Sequence, residues 1–118
     1  MAEDALLDAR ARVVHDLVAT GLDTAAVVST VEDAVAGRVW WVQQWPDGTR
    51  YVAGQVAQDV QDALLEQHGL RWPPCPGPPA CEHPDPHELR ITPDLGEDPH
   101  WVCEESALSV APLGALRP

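Results

Sequence analysis

The sequence predicts an α+β fold in which two N-terminal helices, a β-hairpin and a third helix precede a small module that carries cysteine and histidine. Three observations support this prediction. Apolar residues recur at three- and four-residue spacing in two N-terminal stretches that each end at a glycine. Residues that favour strands come directly before a Pro-Asp-Gly turn sequence. Nine of the twelve prolines lie between residues 73 and 99, a density that excludes a long helix there.

The first helix is predicted over residues 2–20. Acidic Glu3 and Asp4 lie in its first turn, where negative charge interacts favourably with the helix dipole. Gly21 is expected to end the helix, because glycine readily adopts the left-handed conformation of a helix C-terminus. The apolar stripe expected to face the core comprises Leu7, Val14, Leu17 and Val18.

A second helix is predicted over residues 24–36. Asp23 is expected to cap it, since a carboxylate accepts hydrogen bonds from the free N–H groups of the first turn. Gly37 is expected to end it. The expected core stripe comprises Val27, Val31 and Val35. Because the linker is only Gly-Leu-Asp, the two helices are expected to pack as an antiparallel pair.

A β-hairpin is predicted over residues 38–53. The segment 39–45 is rich in β-branched and aromatic residues, and the turn sequence follows it directly. Strand alternation would place Trp40 on one face and Trp41 with Trp45 on the other. Tryptophan on both faces predicts that this strand is covered on both sides.

A third helix is predicted over residues 55–68, with Gly69 as its end. Its stripe comprises Val56, Val60, Leu64 and the alkyl part of Gln67. The composition then changes abruptly to proline-rich. We therefore predict a domain boundary near residue 70, with an α+β domain at residues 1–70 and a Cys/His-bearing module at residues 71–118.

The C-terminal module contains all three cysteines and three of the five histidines. Structural zinc takes four nitrogen or sulfur ligands in a tetrahedron, commonly from two groups joined by a loop. One group lies between residues 75 and 87, and the second ends the strand-like segment 100–103. Residues 90–92 are expected to pair with that segment through a turn at 93–96. The pattern therefore predicts zinc in a ribbon or knuckle, with the candidate ligands Cys75, Cys81, His83, His87 and Cys103.

The spacing leaves the ligand set open, because it lacks the Cys-x2-Cys pairs of a standard zinc ribbon. Cys75 and Cys103 are the firmest candidates. Two of three further residues would complete the set: Cys81, His83 and His87. A single residue separates Cys81 from His83, so both can bind one ion only across a tight turn, and His87 is the better-placed histidine.

A longer pattern spans roughly residues 72–116: Trp-Pro-Pro-Cys-Pro, a later His, Trp-Val-Cys and a closing Val-Ala-Pro-Leu-Gly-Ala-Leu. It resembles the tail of small uncharacterised proteins from high-GC Gram-positive bacteria. The resemblance implies a Cys/His-bearing ribbon after a helical or α+β part, and it implies no activity. The chain also lacks Lys, Asn and Phe, residues with A/T-rich codons, which indicates a high-GC genome.

The net charge of −12 argues against several function classes. Nineteen carboxylates outnumber seven arginines, whereas nucleic-acid binding needs clustered basic residues. The same charge disfavours anionic membranes, and no apolar run approaches a membrane span. The first residues lack the basic and apolar regions of a signal peptide, and three cysteines suit metal binding better than disulfides. A cytoplasmic location is therefore expected.

The favoured functional hypothesis is a non-enzymatic interaction or adaptor module with a structural zinc ion. A zinc-dependent hydrolase is one alternative, which requires an open metal position and a general base such as Glu82, Glu88 or Glu104. A thiol-based redox sensor is another. The expected partner is another protein or a second copy that covers the tryptophan hairpin. Alternatively, the C-terminal module folds back over that face, and Trp72 and Trp101 complete one aromatic cluster.

Overall fold

The computed structural model describes residues 2–78 and 81–118 and has the α+β class that the sequence predicts. The helices are α1 (Ala2–Ala19), α2 (Ala25–Gly37), α3 (Val39–Gln44) and α4 (Val52–His68), with a 3-10 helix at Pro46–Tyr51. The strands are β1 (Arg90–Thr92), β2 (His100–Cys103) and β3 (Leu108–Pro112), which form one antiparallel sheet in the order β1-β2-β3. Pro79 of the proline-rich stretch lies outside the described residues.

Helices α1, α2 and α4 pack against one another around one cluster of buried apolar side chains. Val56, Val60 and Leu64 of α4 are buried as predicted, and Gly69 ends that helix with a left-handed φ of 64°. The prediction of Asp23 as the cap of α2 is wrong. Thr24 is the cap, since its hydroxyl accepts a hydrogen bond from the N–H of Val27.

The predicted core stripe of α1 is displaced by about one residue. Leu7 and Val18 are 62% and 55% exposed, and Leu17 is the member of the predicted stripe that is fully buried. The buried face instead comprises Leu6, Ala9, Val13, Asp16 and Leu17. The buried apolar residues also have helical spacing, so spacing alone could not select between two neighbouring stripes, and the carboxylate of Asp16 lies on the buried face near the end of the helix.

The predicted hairpin over residues 38–53 is wrong, because this segment is helical. The N–H groups of Val42 and Trp45 donate to the carbonyls of Arg38 and Trp41, the four-residue spacing of an α-helix. Val42 is buried against the core, whereas Trp40 is 67% exposed. Strand propensity depends on cross-strand neighbours, and the helices beside this segment offer it a packing surface but no strand to pair with.

The Pro-Asp-Gly sequence was predicted to form the hairpin turn, but it begins the 3-10 helix instead. Proline suits the first position of a helix, where no hydrogen-bonded N–H is needed. Gly48 is required for a different reason than a hairpin turn. A Cβ at this position would overlap the ring of Trp45, so only glycine leaves room for that indole in its present position.

The predicted pairing of residues 90–92 with 100–103 is confirmed, with Ile91 opposite Trp101 in β1 and β2. The third strand, β3, was not predicted. It pairs with β2 through an irregular register between Trp101 and Val102, and most of its residues are exposed or half-buried. Such a strand lacks the clear alternation that identifies strands in sequence.

The C-terminal segment packs onto the helices through two buried tryptophans. Trp72 and Trp101 are fully buried, with ring centroids 5.2 Å apart in an edge-to-face arrangement. The indole N–H of Trp72 donates to the hydroxyl of Thr20, and that of Trp101 to the carboxylate of Asp16. The core is therefore continuous between the helices and the sheet, and the boundary near residue 70 stays a prediction.

Asp16 connects α1 to the C-terminal end of the chain. Its Oδ2 accepts hydrogen bonds from the Trp101 indole and from the N–H of Gly114, and its Oδ1 from the N–H of Leu116, all at 2.8–3.0 Å. This fully buried carboxylate is thereby surrounded by donors.

Within the described ranges, no helix has the length and apolar character needed to cross a membrane.

Candidate metal centre

Paired backbone segments position three of the candidate ligands. The N–H of Cys75 donates to the carbonyl of His87 at 2.8 Å, and the N–H of Leu89 donates to the carbonyl of Pro73 at 2.7 Å. Residues 73–75 and 87–89 therefore run antiparallel. The second segment continues into β1, which pairs with β2, and β2 ends at Cys103. Adjacent extended segments thus bring together residues that are 28 positions apart in sequence.

A loop brings in the fourth candidate, Cys81. Its N–H donates to the carbonyl of Gly77 at 3.1 Å, which closes a turn. Gly77 has a φ of 80°, a left-handed conformation that favours glycine. The thiol of Cys81 is directed inward, and the residue is only 3% exposed. The hydrogen bond from Cys81 to Gly77 therefore helps to hold the Cys81 sulfur near the other ligand atoms.

The four ligand atoms converge on one point. The sulfur atoms of Cys75, Cys81 and Cys103 and a ring nitrogen of His87 lie within 4.8 Å of one another. The Nε2 of His87 is 3.6 Å from the sulfur of Cys81 and 3.3 Å from that of Cys103. A tetrahedral zinc ion separates sulfur and nitrogen ligands by about 3.5 Å, given bond lengths of about 2.3 and 2.1 Å. The cluster therefore has dimensions that suit a single tetrahedral ion.

The orientation of the His87 ring also suits metal binding. Its Nδ1 is 2.9 Å from the carbonyl oxygen of Asp85, an acceptor that places the proton on Nδ1. The lone pair of Nε2 then faces the three sulfur atoms. A backbone carbonyl on the second ring nitrogen is a common partner of metal-bound histidine, because it fixes the ring and increases its basicity. This contact, together with that to Cys103, raises the pKa of His87.

The surroundings of Cys103 make its thiol more acidic than an ordinary cysteine thiol. Hydrogen bonding from the side chain of Ser106, assisted by the contact with His87, lowers its pKa to about 6, although burial opposes this shift. The N–H of Ala107 donates to the carbonyl of Cys103 at 2.7 Å, so the turn after β2 returns the chain to the sulfur. Since the thiolate is the form that binds metals, Cys103 is favoured as a ligand at neutral pH.

The thiol of Cys81 shows opposing effects. The N–H of His83 donates to its sulfur at 3.3 Å, which lowers the pKa. Burial and the neighbouring sulfur atoms of Cys103 and Cys75 have the larger combined effect, and the pKa of Cys81 is raised. Burial disfavours the charged thiolate, and repulsion between neighbouring thiolates adds to this effect. A divalent cation among the sulfur atoms would remove that repulsion.

His83, the fifth candidate ligand, is not brought into this group. Its ring lies beside that of His87 with centroids 5.5 Å apart, and its Nε2 is 3.9 Å from a carboxylate oxygen of Glu105. The structure therefore groups Cys81 and His87 with Cys75 and Cys103, the two ligands that the sequence indicates most clearly. The turn at Glu82 directs the N–H of His83, and not its ring, at the sulfur of Cys81.

Two supporting residues of the centre were missed in the sequence. Ser106 lies three residues after Cys103, where a tight turn returns its hydroxyl to the sulfur. Asp85 contributes through its backbone carbonyl. Because every residue has a carbonyl, the residue type at position 85 does not indicate this contact. A serine three residues after a ligand cysteine is the pattern that would have indicated the first of them.

A family model described as a domain of unknown function, DUF8819, matches residues 2–113. This match covers most of the chain. The protein belongs to the DUF8819 family. Comparisons with curated proteins and with solved structures returned no match.

The DUF8819 match includes all four residues of the cluster, both buried tryptophans and Asp16. The cluster therefore lies within the part of the chain that the family model matches. Three sulfur ligands and one imidazole form a donor set that selects zinc-like ions over calcium or magnesium, which prefer oxygen. The arrangement can therefore hold one metal ion with four protein ligands.

Proposed function

We propose that this DUF8819 protein is a non-catalytic interaction module whose C-terminal segment is held by one structural zinc ion. The proposed ligands are Cys75, Cys81, His87 and Cys103. The observation that carries the proposal is their convergence within 4.8 Å from the paired segments 73–75 and 87–89, a proline-rich loop and the end of β2. Structural zinc sites are typically closed by four such ligands.

The closed ligand set argues against the hydrolase alternative. Catalytic zinc keeps a position open for water and has only three protein ligands. Of the general bases considered, Glu88 is the best shielded, and its carboxylate forms ion pairs with Arg71 and Arg90. A paired carboxylate is a poor base for a metal-bound water.

The sensor alternative depends on Cys75, which is half-buried while Cys81 and Cys103 are buried. An oxidant such as hydrogen peroxide would reach this sulfur first. Retention of zinc after mild peroxide treatment supports the structural role. Stoichiometric and reversible release would support the sensor instead.

The proposed partner is a protein with a basic surface, or a second copy of this chain. Trp40 and Trp45 are 67% and 41% exposed, which is unusual for indoles. The tryptophans do not lie on a strand, so the hairpin argument for a homodimer no longer applies, but exposed aromatic side chains are typical of interfaces. We propose a reducing compartment such as the bacterial cytoplasm, where the three cysteines stay reduced and able to bind metal.

Metal analysis tests the zinc proposal. Protein purified without chelators is expected to contain about one zinc per chain, because the four ligands form one site. Inductively coupled plasma mass spectrometry of the desalted protein measures this ratio. A ratio near zero after expression in zinc-supplemented medium contradicts the proposal.

Nucleic-acid binding is expected to be absent at physiological salt. Nineteen carboxylates outnumber seven arginines, and six of those arginines form ion pairs with Asp or Glu. Almost no unpaired arginine is therefore available to neutralise phosphates and release their counterions, which is the main source of affinity for nucleic acids. Gel-shift assays with duplex and single-stranded DNA and RNA at 150 mM salt check this expectation. Micromolar binding to any of them would contradict it.

A further inference from the structure

An apolar cavity of about 440 Å³ opens beside the last strand of the sheet. Its volume lies within the range of about 300–1,000 Å³ typical of ligand pockets. Its walls come from the proline-rich segment, from β3 and from the C-terminal residues. The lining includes Pro74, Pro76, Val110, Ala111, Leu116 and Arg117.

The strand that borders this cavity has an open edge. β3 pairs with β2 on one side, and no strand in the described ranges pairs with its other side. Leu108 at its beginning is 51% exposed, and the residues after it are exposed or half-buried. An unpaired strand edge offers backbone N–H and carbonyl groups to an added strand.

Arg117 supplies the charge at this cavity. The six other arginines form ion pairs with carboxylates, whereas in residues 2–78 and 81–118 no carboxylate pairs with Arg117. The preceding residue, Leu116, is buried and donates its N–H to Asp16, so the chain is anchored up to the arginine. An uncompensated guanidinium at an apolar cavity suits a carboxylate attached to an apolar group.

We infer that this site binds the C-terminal end of a peptide whose last side chain is apolar. The last side chain fills the cavity, its free carboxylate pairs with Arg117, and the preceding residues add to the open edge of β3. This inference rests on the proposed function as an interaction module and names its partner. The net charge of −12 favours basic residues upstream of the peptide's C-terminus.

The cavity is connected to the candidate metal centre. Cys75 lies between two of the lining residues, Pro74 and Pro76. A metal ion on Cys75 would therefore fix one wall of the cavity. Removal of zinc with a chelator is expected to weaken peptide binding, whereas loss of the Arg117 side chain is expected to leave the zinc content unchanged.

Fluorescence anisotropy with a defined peptide pool tests the inference. The probe is a fluorescein-labelled hexapeptide pool, Gly-Arg-X-X-X-Leu with X any residue except Cys, that has a free C-terminal carboxylate. We expect saturable binding below about 100 µM, as for a small transient interface. The C-terminal amide pool is expected to bind at least about tenfold more weakly, because it loses the charged contact to Arg117. Non-specific attraction to the acidic surface would instead favour the amide pool, which is more positive.

Two variants and one control locate the binding. Arg117→Ala and Ala115→Trp, the second of which fills the cavity, are expected to weaken binding at least about tenfold. Arg50→Ala removes an arginine that pairs with Glu97 away from the cavity and is expected to bind like the unmodified protein. Free N-acetyl-leucine is expected to compete only weakly, since it lacks the residues that add to β3.

Each other outcome overturns the inference. Absence of binding to the acid pool, equal binding of acid and amide pools, or full binding by Arg117→Ala excludes this site. Competition by N-acetyl-leucine as effective as that by the peptides indicates a small-molecule carboxylate site. A dimer in light scattering that Arg117→Ala converts to monomer indicates a second copy on the β3 edge. Zinc content measured on the same samples separates failure of this inference from failure of the proposed metal centre.

Discussion

Replacement of Cys103 by serine is expected to abolish metal binding and to cause the largest loss of structure of any single substitution in the cluster. Cys103 is fully buried and ends β2, and its sulfur is 3.3 Å from Nε2 of His87. Structural zinc binds with apparent free energies of about 10–16 kcal/mol in small domains, and that energy is coupled to folding. We therefore expect the melting temperature to fall by more than about 10 °C.

Metal content and thermal unfolding of the same preparation measure the effect of Cys103→Ser. His83→Gln is the matched control, because His83 is the nearby histidine outside the four-residue group. This control is expected to keep its zinc and to melt like the unmodified protein. Full zinc occupancy in Cys103→Ser, or loss of zinc in His83→Gln, would show that the ligand set is wrong.

Replacement of Asp16 by asparagine is expected to destabilise the protein by about 2–4 kcal/mol. The carboxylate is fully buried and accepts hydrogen bonds from the Trp101 indole and from the N–H groups of Gly114 and Leu116. In the favourable orientation the amide oxygen takes the place of Oδ2, and the amide NH2 group then faces the N–H of Leu116. Each buried donor left without an acceptor costs about 1–3 kcal/mol.

Chemical denaturation monitored by tryptophan fluorescence measures this free energy of unfolding. Asp8→Asn is the control on the same helix, since Asp8 is exposed and forms an i,i+4 ion pair with Arg12. Its expected effect is below about 0.5 kcal/mol. A change of less than about 1 kcal/mol for Asp16→Asn would mean that these hydrogen bonds do not hold the C-terminal residues on α1.

The Cys/His cluster could largely be located from the sequence because its members are defined by residue type. Few residues other than Cys and His bind zinc, so their positions in a proline-rich segment reduced the choice to five residues. The choice among Cys81, His83 and His87 was left open, although His87 was the better-placed histidine. It depends on the turn after Cys81 and on a carbonyl of Asp85, and both are backbone geometry with no side-chain signal.

The fold was predicted well where burial follows apolar spacing, as in α4, and poorly where packing overrides local preference. Residues 39–45 have strand propensity, yet Val42 packs into the helical core and the segment is a helix. Asp16 shows the opposite failure, since a charged residue lies on a buried face. Its role requires knowledge that Trp101 and the C-terminal N–H groups converge on it from 85 or more residues away.

X-ray absorption at the zinc K-edge tests the central claim most directly, because it reports the identity and distance of the atoms bound to the metal. The proposed centre predicts three sulfur atoms at about 2.3 Å and one nitrogen atom at about 2.0–2.1 Å, with no bound water. A shell with two or fewer sulfur atoms, or one with an oxygen atom in a fourth position, would contradict a closed site formed by Cys75, Cys81, His87 and Cys103.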